Sequence, residues 1–290
     1  MSAAEVRRDR VGVGGARSPL IEAGPREASE AVVFVHGNPG SSTDWTALVS
    51  AVGEYGRALA VDMPGFGGAH RPEGFRCEVA SYADFLQGAM AQLGVERAHL
   101  VLHDFGGPFG LLWGLQHGGA WASAVLINIG VMPGYTWHKM AKVWRTPLLG
   151  ELSQAWIPRS GWHRMMRNAN PRGLPAAFVD KMYDDYDRET RRTVLELYRS
   201  TPEPGDVAEA IGAEIAKLRI PALVVWGAKD PFIGVRFAER QRDFFDVRDV
   251  LILPESGHWP FQDDPEAVAG AVVPFLRERI SERDPRPAAG

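Results

Sequence analysis

Six short apolar runs, each ending in a turn built from Gly, Pro or charged residues, constrain the fold of this chain more tightly than any other feature. Residues 31–35 (AVVFV) run into HGNPG, 58–61 into DMPGFGG, 98–102 into HDFGG and 124–127 into NIG. The pattern returns at 222–226 before GAKD and at 250–253 before PESGH. Short apolar, β-branched runs of this kind read as strands buried on both faces, as in parallel sheets covered by helices on either side. Helix-length amphipathic segments at 81–93 and 109–116 lie between the early runs. Strands alternating with helices predict a mostly parallel central sheet with helices on both faces. Residues 11–24 are expected to add a short antiparallel pair at the sheet edge. The 290 residues suit one large α/β domain carrying an insertion.

The alternation stops near Val131 and resumes at Ile220. Residues 132–216 are therefore expected to form a helical cap, with 1–131 and 217–290 as the core domain. An insertion between two strands of a parallel sheet should lie over their carboxyl ends, where such sheets place ligands. Trp137, Trp144, Trp156 and Trp162 fall in it, either as the roof of an apolar pocket or as packing between cap and core.

The formal net charge of −4 offers nothing to phosphates, so neither nucleic acid nor an anionic membrane is an expected partner. The single cysteine, Cys77, cannot form an internal disulfide, which favours a reducing compartment. No stretch has the length of a signal peptide or membrane span. The chain is expected to be soluble and cytoplasmic, a monomer or homodimer, with a frayed polar tail (SERDPRPAAG). No clustered His/Cys ligand set points to a metal or cofactor. The glycines of GGPFG open a helix after a strand, as in nucleotide sites, but the position that should be acidic at the end of the next strand is Asn128.

The sharpest chemical signal is Val101-Leu102-His103-Asp104-Phe105-Gly106-Gly107. A strand runs into one exposed residue and turns through two glycines into a helix, the geometry of a nucleophile elbow. The exposed residue is Asp104 where the serine version carries Ser, and Leu102 stands in place of the first glycine. A carboxylate is nucleophilic without a base, and it suits displacement at a saturated carbon bearing a halide or strained ring oxygen. Taken alone, Asp104 also reads as a helix cap. Asp230 follows the strand at 222–226, and His258 follows the one at 250–253, giving the chain order nucleophile, acid, histidine. His258 would deprotonate the water that hydrolyses the ester, with Asp230 fixing its tautomer. The other histidines read as surface residues. His103 is the main competitor, but its place beside Asp104 on a strand turns it the opposite way. Backbone N–H groups of the loop at Asn38 and of Phe105 would form an oxyanion hole.

On HGNPGSSTDW, VDMPGFGGAHRP, HDFGG, WGAKDPF and SGHWPFQDDPE, which span nearly the whole chain, the sequence resembles the epoxide hydrolase and haloalkane dehalogenase branch of the α/β-hydrolase superfamily. The resemblance implies the α/β-hydrolase fold, a cap, an Asp nucleophile and a small apolar organic substrate with water. For a dehalogenase it implies halide binding by Asn38 and by a Trp after the nucleophile, where Phe105 stands; Trp137 or Trp162 from the cap would have to substitute. For an epoxide hydrolase it implies two cap tyrosines on the epoxide oxygen, with Tyr135, Tyr183, Tyr186 and Tyr198 as candidates. Phenols are present and the dehalogenase Trp is not, so epoxide hydrolysis is the favoured expectation, haloalkane dehalogenation the alternative. A ligand-binding protein that keeps the fold without chemistry is the reading from a different class.

Overall fold

The computed structural model describes residues 4–155 and 157–281; Trp156 and the tail from 282 onward lie outside the described residues. Strands β1 (Arg7–Val13), β2 (Ala16–Ala23), β3 (Glu30–Val35), β4 (Arg57–Val61), β5 (Arg97–His103), β6 (Trp121–Ile127), β7 (Pro221–Gly227) and β8 (Asp246–Leu253) form one sheet. Its order is β1-β2-β4-β3-β5-β6-β7-β8, antiparallel from β1 to β4 by way of β2 and parallel from there on. The antiparallel edge begins at Arg7, earlier than the alternation at 11–24 suggests.

The central strands are buried along nearly their whole length because helices cover the sheet. Helix α1 (Thr46–Gly53) packs beside the C-terminal helix, and α2 (Val79–Gln92) beside α3 (Gly106–Gln116). Helix α3 lies close on the sheet because Gly107, Gly110 and Gly114 line one side of it. Side chains there would collide with Ile129, Leu102 and Trp121. The strand β8 departs from the expectation of a strand buried on both faces. It is the last strand of the sheet, and Ile252 is exposed although its run is apolar.

Between β6 and β7 the chain forms α4 (Lys139–Arg145), α5 (Leu149–Ala155), α6 (Arg159–Ala169), α7 (Ala176–Asp185), α8 (Arg188–Ser200) and α9 (Pro204–Leu218). Asp187 caps α8 by accepting the Thr190 N–H at 2.9 Å. Thr190, Thr193, Val194, Leu197 and Tyr198 recur at helical spacing and are the buried stripe of α8, which turns Tyr198 inward. Two further helices, α10 (Pro260–Asp263) and α11 (Pro265–Ser281), complete the described chain, and no described helix is long and apolar enough to cross a membrane.

Candidate active site

The sheet fixes where a site can form. From β3 the neighbouring strand on one side is β4 and on the other β5, so the connections leave in opposite directions and a crevice opens at the carboxyl ends. Asn38 follows β3 and Asp104 follows β5. His103 pairs with Ile127, so Asp104 and Asn128 leave the sheet side by side, each with φ +49°. This left-handed conformation is tolerated by Asp and Asn more readily than by other side chains. It turns the chain sharply enough that a side chain at Gly106 would run into the Val35 carbonyl. Leu102, at the expected glycine position, fits because Gly110 of α3 leaves it room.

Asp104, His258 and Asp230 come together at this crevice. Asp104 Oδ1 accepts the Asn38 backbone N–H at 2.6 Å, and Oδ2 lies 3.5 Å from His258 Nε2. His258 Nδ1 lies 2.7 Å from Asp230 Oδ2. The remaining oxygen of Asp230 accepts N–H groups of Phe232 (2.7 Å) and Ile233 (3.1 Å). Asn128 holds the acid: Nδ2 donates to Asp230 at 2.7 Å while Oδ1 accepts the Gly227 N–H at 2.9 Å. The loop carrying His258 is fixed from above, since its backbone N–H donates to Ala169 at the end of α6.

Electrostatics follow from this arrangement. Burial alone would raise the Asp104 carboxyl, but the hydrogen bond and charge of His258, with His103 and the Asn38 amide, outweigh it and bring it to about 2. Burial disfavours charge on His258, yet the two aspartates flanking it push the imidazole up to about 10. His103 turns away from Asp104: Nε2 lies 2.7 Å from the His258 carbonyl oxygen, and burial drives it down to about 3.

Asp104 opens onto a cavity of about 300 Å³ whose wall is almost entirely apolar. Phe105, Tyr135, Trp137 and Tyr198 line it. The Phe105 ring packs edge-on to Tyr198 at 4.9 Å and stacks on Trp137 at 6.1 Å. The Asn38 amide is buried and lies against the Tyr198 hydroxyl, short of full hydrogen-bond geometry. Arg145 of α4 donates to the carbonyls of Tyr198 and Thr201, fixing the end of α8.

Three sequence candidates lie elsewhere. Trp162, Tyr183 and Tyr186 do not line the cavity; their rings pack together where α6 meets α7. The Tyr183 hydroxyl donates to Ile157 and that of Tyr186 accepts from Gln154, so both are satisfied within the insertion. The reading of the remaining histidines as surface residues also needs correction. His36, His99 and His103 are buried, and His138 lines the cavity. His36 ties two site loops together, with Nε2 accepting the Met63 N–H at 2.9 Å, which leaves Nδ1 to donate to Gly37. A sequence signal for His138 existed in its place immediately before the helical segment KMAKVWR, since a residue there is set to cap. Among the described residues no three His, Cys, Asp or Glu side chains are grouped to hold a metal ion.

Comparison with known proteins agrees with this architecture. Residues 32–271 match the model of the alpha/beta hydrolase family. A cis-3-alkyl-4-alkyloxetan-2-one decarboxylase of Xanthomonas campestris pv. campestris is 25% identical, over 93% of this chain and 94% of its own. A haloalkane dehalogenase of Bradyrhizobium diazoefficiens is 25% identical over 94% of both chains. Epoxide hydrolase A of Mycobacterium tuberculosis is 25% identical over 92% of this chain and 96% of its own. Among solved structures, a loop variant of the haloalkane dehalogenase DbeA from Bradyrhizobium elkanii superposes with a TM-score of 0.82 at 21% identity, over 96% of this chain and 98% of that one. The chain is a hydrolase that belongs to the alpha/beta hydrolase family, in the branch that holds the haloalkane dehalogenases and epoxide hydrolases.

Proposed function

We propose that this protein hydrolyses an epoxide to a diol through an ester on Asp104, under a lid formed by residues 132–216. The observation that carries the reading is the presence of two phenols, Tyr135 and Tyr198, in the same apolar cavity as an ionised carboxylate. Burial raises the Tyr198 hydroxyl well above its ordinary value, with the Asp104 charge adding to it, so the phenol keeps its proton at neutral pH. A protonated phenol is what an opening alkoxide requires.

With Oδ1 held by the Asn38 N–H, Oδ2 attacks an epoxide carbon, the C–O bond breaks, and the alkoxide takes the Tyr198 proton. Esterification removes one of the two anions that hold the proton on His258, so the imidazolium returns that proton to the Tyr198 phenolate, and the neutral imidazole then takes one from water. The resulting hydroxide attacks the Asp104 carboxyl carbon. Its tetrahedral anion is stabilised by the N–H groups of Asn38 and Phe105, and collapse releases the diol.

A specific observation also favours haloalkane hydrolysis. Trp137 Nε1 is a buried N–H donor without a partner on a ring stacked on Phe105, and Asn38 Nδ2, near the Tyr198 hydroxyl, meets no acceptor at full hydrogen-bond geometry. A departing halide would satisfy both. The four-membered lactone named for the Xanthomonas relative is a third strained electrophile for the same carboxylate.

Intact mass of the His258→Gln variant, after exposure to 1,2-epoxyalkanes, 1-bromoalkanes and a 3,4-dialkyl oxetan-2-one, separates them. The expected result is a stable adduct on Asp104 equal to the whole mass of the epoxide. An adduct of the alkyl group alone would favour the halide reading. No adduct from any of the three, beside wild-type turnover of a simple carboxylic ester, would refute the Asp104 ester.

A further inference from the structure

We propose that the cavity contains a second polar subsite at His138, whose Nε2–H receives a carbonyl or ether oxygen that the substrate carries away from its reacting carbon. The inference rests on the epoxide reading only for the identity of the reacting end.

The tautomer follows from the backbone. His138 precedes α4, and its Nδ1 accepts the Ala141 N–H at 3.2 Å. A backbone amide can only donate, so Nδ1 must offer its lone pair and the ring proton sits on Nε2. Burial pushes the imidazole down to about 4, which keeps it neutral at pH 7. Nε2 has no hydrogen-bond partner among the described residues, although the ring lines the cavity. A fixed N–H in an apolar wall is costly unless an acceptor meets it, so it selects for ligands that bring one.

Its position separates it from the reacting centre. The Phe232 ring lies 5.0 Å from the His138 ring and 5.0 Å from the His258 ring, so one aromatic side chain stands between the two imidazoles. Phe232 is anchored in turn by its N–H to Asp230. Both Tyr198 and His138 feel the Asp104 charge, but Tyr198 lies next to the Asn38 amide, whereas the His138 ring is 6.2 Å from the Tyr198 ring. The phenol serves the atom that leaves, and His138 serves an oxygen further along the chain. The ligand class is an apolar chain with one internal acceptor, such as a glycidyl ether or a keto-epoxide.

The test compares calorimetric binding of 2-heptanone with that of 2-methyl-1-heptene, in which a methylene replaces the carbonyl oxygen. Wild type, His138→Asn and His138→Gln are measured. Asn retains an acceptor near the Nδ1 position and keeps the cap on Ala141, but has nothing at Nε2; Gln reaches an amide N–H to that point. His138→Asn is expected to weaken the ketone about tenfold and leave the alkene within about twofold, with His138→Gln recovering most of the loss. Equal weakening of both ligands, or an unchanged ketone, overturns the subsite. In wild type, ¹⁵N-histidine NMR should show position 138 protonated on Nε2, with that resonance shifting on ketone addition. A ring protonated on Nδ1, or no shift, rejects the proposal even if a variant fails to fold. Neither measurement needs turnover, so failure of the subsite is distinct from failure of wild-type protein to open a plain 1,2-epoxyalkane.

Discussion

Two trios of side chains, each centred on a histidine, invite comparison in this sheet, and of the two it is Asp104, His258 and Asp230 that meet a cavity. At the carboxyl ends of the strands stand Asp104, His258 and Asp230. Toward the amino ends, Ser123 Oγ lies 2.8 Å from His99 Nδ1, and His99 Nε2 lies 3.0 Å from Glu30 Oε1. By residue type the second set is the more familiar hydrolytic trio. It lacks everything else. Ser123 sits within β6, paired across the strands with His99, and both side chains are fully buried and absent from the cavity wall. Asp104 is thrown out of its strand by a left-handed turn and faces open space. The imidazoles differ in charge as well. Two carboxylates hold His258 high, whereas burial holds His99 low and its partner Glu30 is shared with Arg97. A relay of three side chains becomes a site through access and backbone geometry, not through its hydrogen bonds.

The largest expected effect breaks the comparison outright. Asp104→Asn keeps a side chain suited to φ +49° and should lower turnover of any accepted electrophile by on the order of 10⁴-fold or more. Ser123→Ala should leave turnover within about twofold while costing about 1–3 kcal/mol of stability, because a buried His99 nitrogen loses its partner. Initial rates and urea denaturation of the two variants measure both. A turnover loss in Ser123→Ala comparable to that in Asp104→Asn would remove the distinction.

Next in size is Tyr198→Phe, expected to reduce kcat for epoxides by about 10²-fold through loss of a proton donor. The same variant should retain turnover of any alkyl bromide the wild type accepts, since bromide leaves without a proton. A rate that falls equally for both substrates would assign Tyr198 to packing. Smaller again is Asn128→Ala. It leaves Asp230 short of one donor and the Gly227 N–H buried without an acceptor, and should cost about tenfold in kcat and about 1–3 kcal/mol. Rates paired with denaturation curves would show it; a stability loss at unchanged kcat would mean that Asn128 braces the loops without orienting Asp230.

The sheet was legible in the sequence because buried parallel strands announce themselves as apolar runs, and the turns after them carry Asp104, Asp230 and His258. Even the departure at Leu102 has a local signature, since Gly110 lies one turn into α3 and makes its room. The same rule misled at β8, where an apolar run lies at an exposed edge: composition reports what a strand is made of, and its neighbours decide what covers it. Choosing among the insertion's aromatics failed for a related reason. Helical periodicity gives each helix a buried face without saying whether that face meets the cavity or another helix. Tyr198 faces the one, while Tyr183, Tyr186 and Trp162 face the other. His138 was hidden by its type, because a lone polar residue before a helix reads as surface until the fold turns its ring inward.

The pH dependence of stability sharpens the contrast between the two imidazoles. His258 is raised in the folded state from 6.5 to about 10, so folding favours its proton. The stability this contributes is fully present below pH 6.5 and is lost as pH rises from there toward 10. His99 is lowered from 6.5 by burial, so the unfolded chain binds its proton more readily, and stability declines as pH falls below 6.5. Urea denaturation from pH 4 to pH 10 should therefore show opposite slopes: His258→Gln flattens the alkaline side, and His99→Gln makes the acidic side shallower without removing it, because His36, His103 and His138 are lowered too. If His258→Gln leaves the alkaline slope intact, the imidazolium is not held between the two aspartates in the free protein. The loss of that charge on esterification could not then be what readies His258 to accept a proton from water.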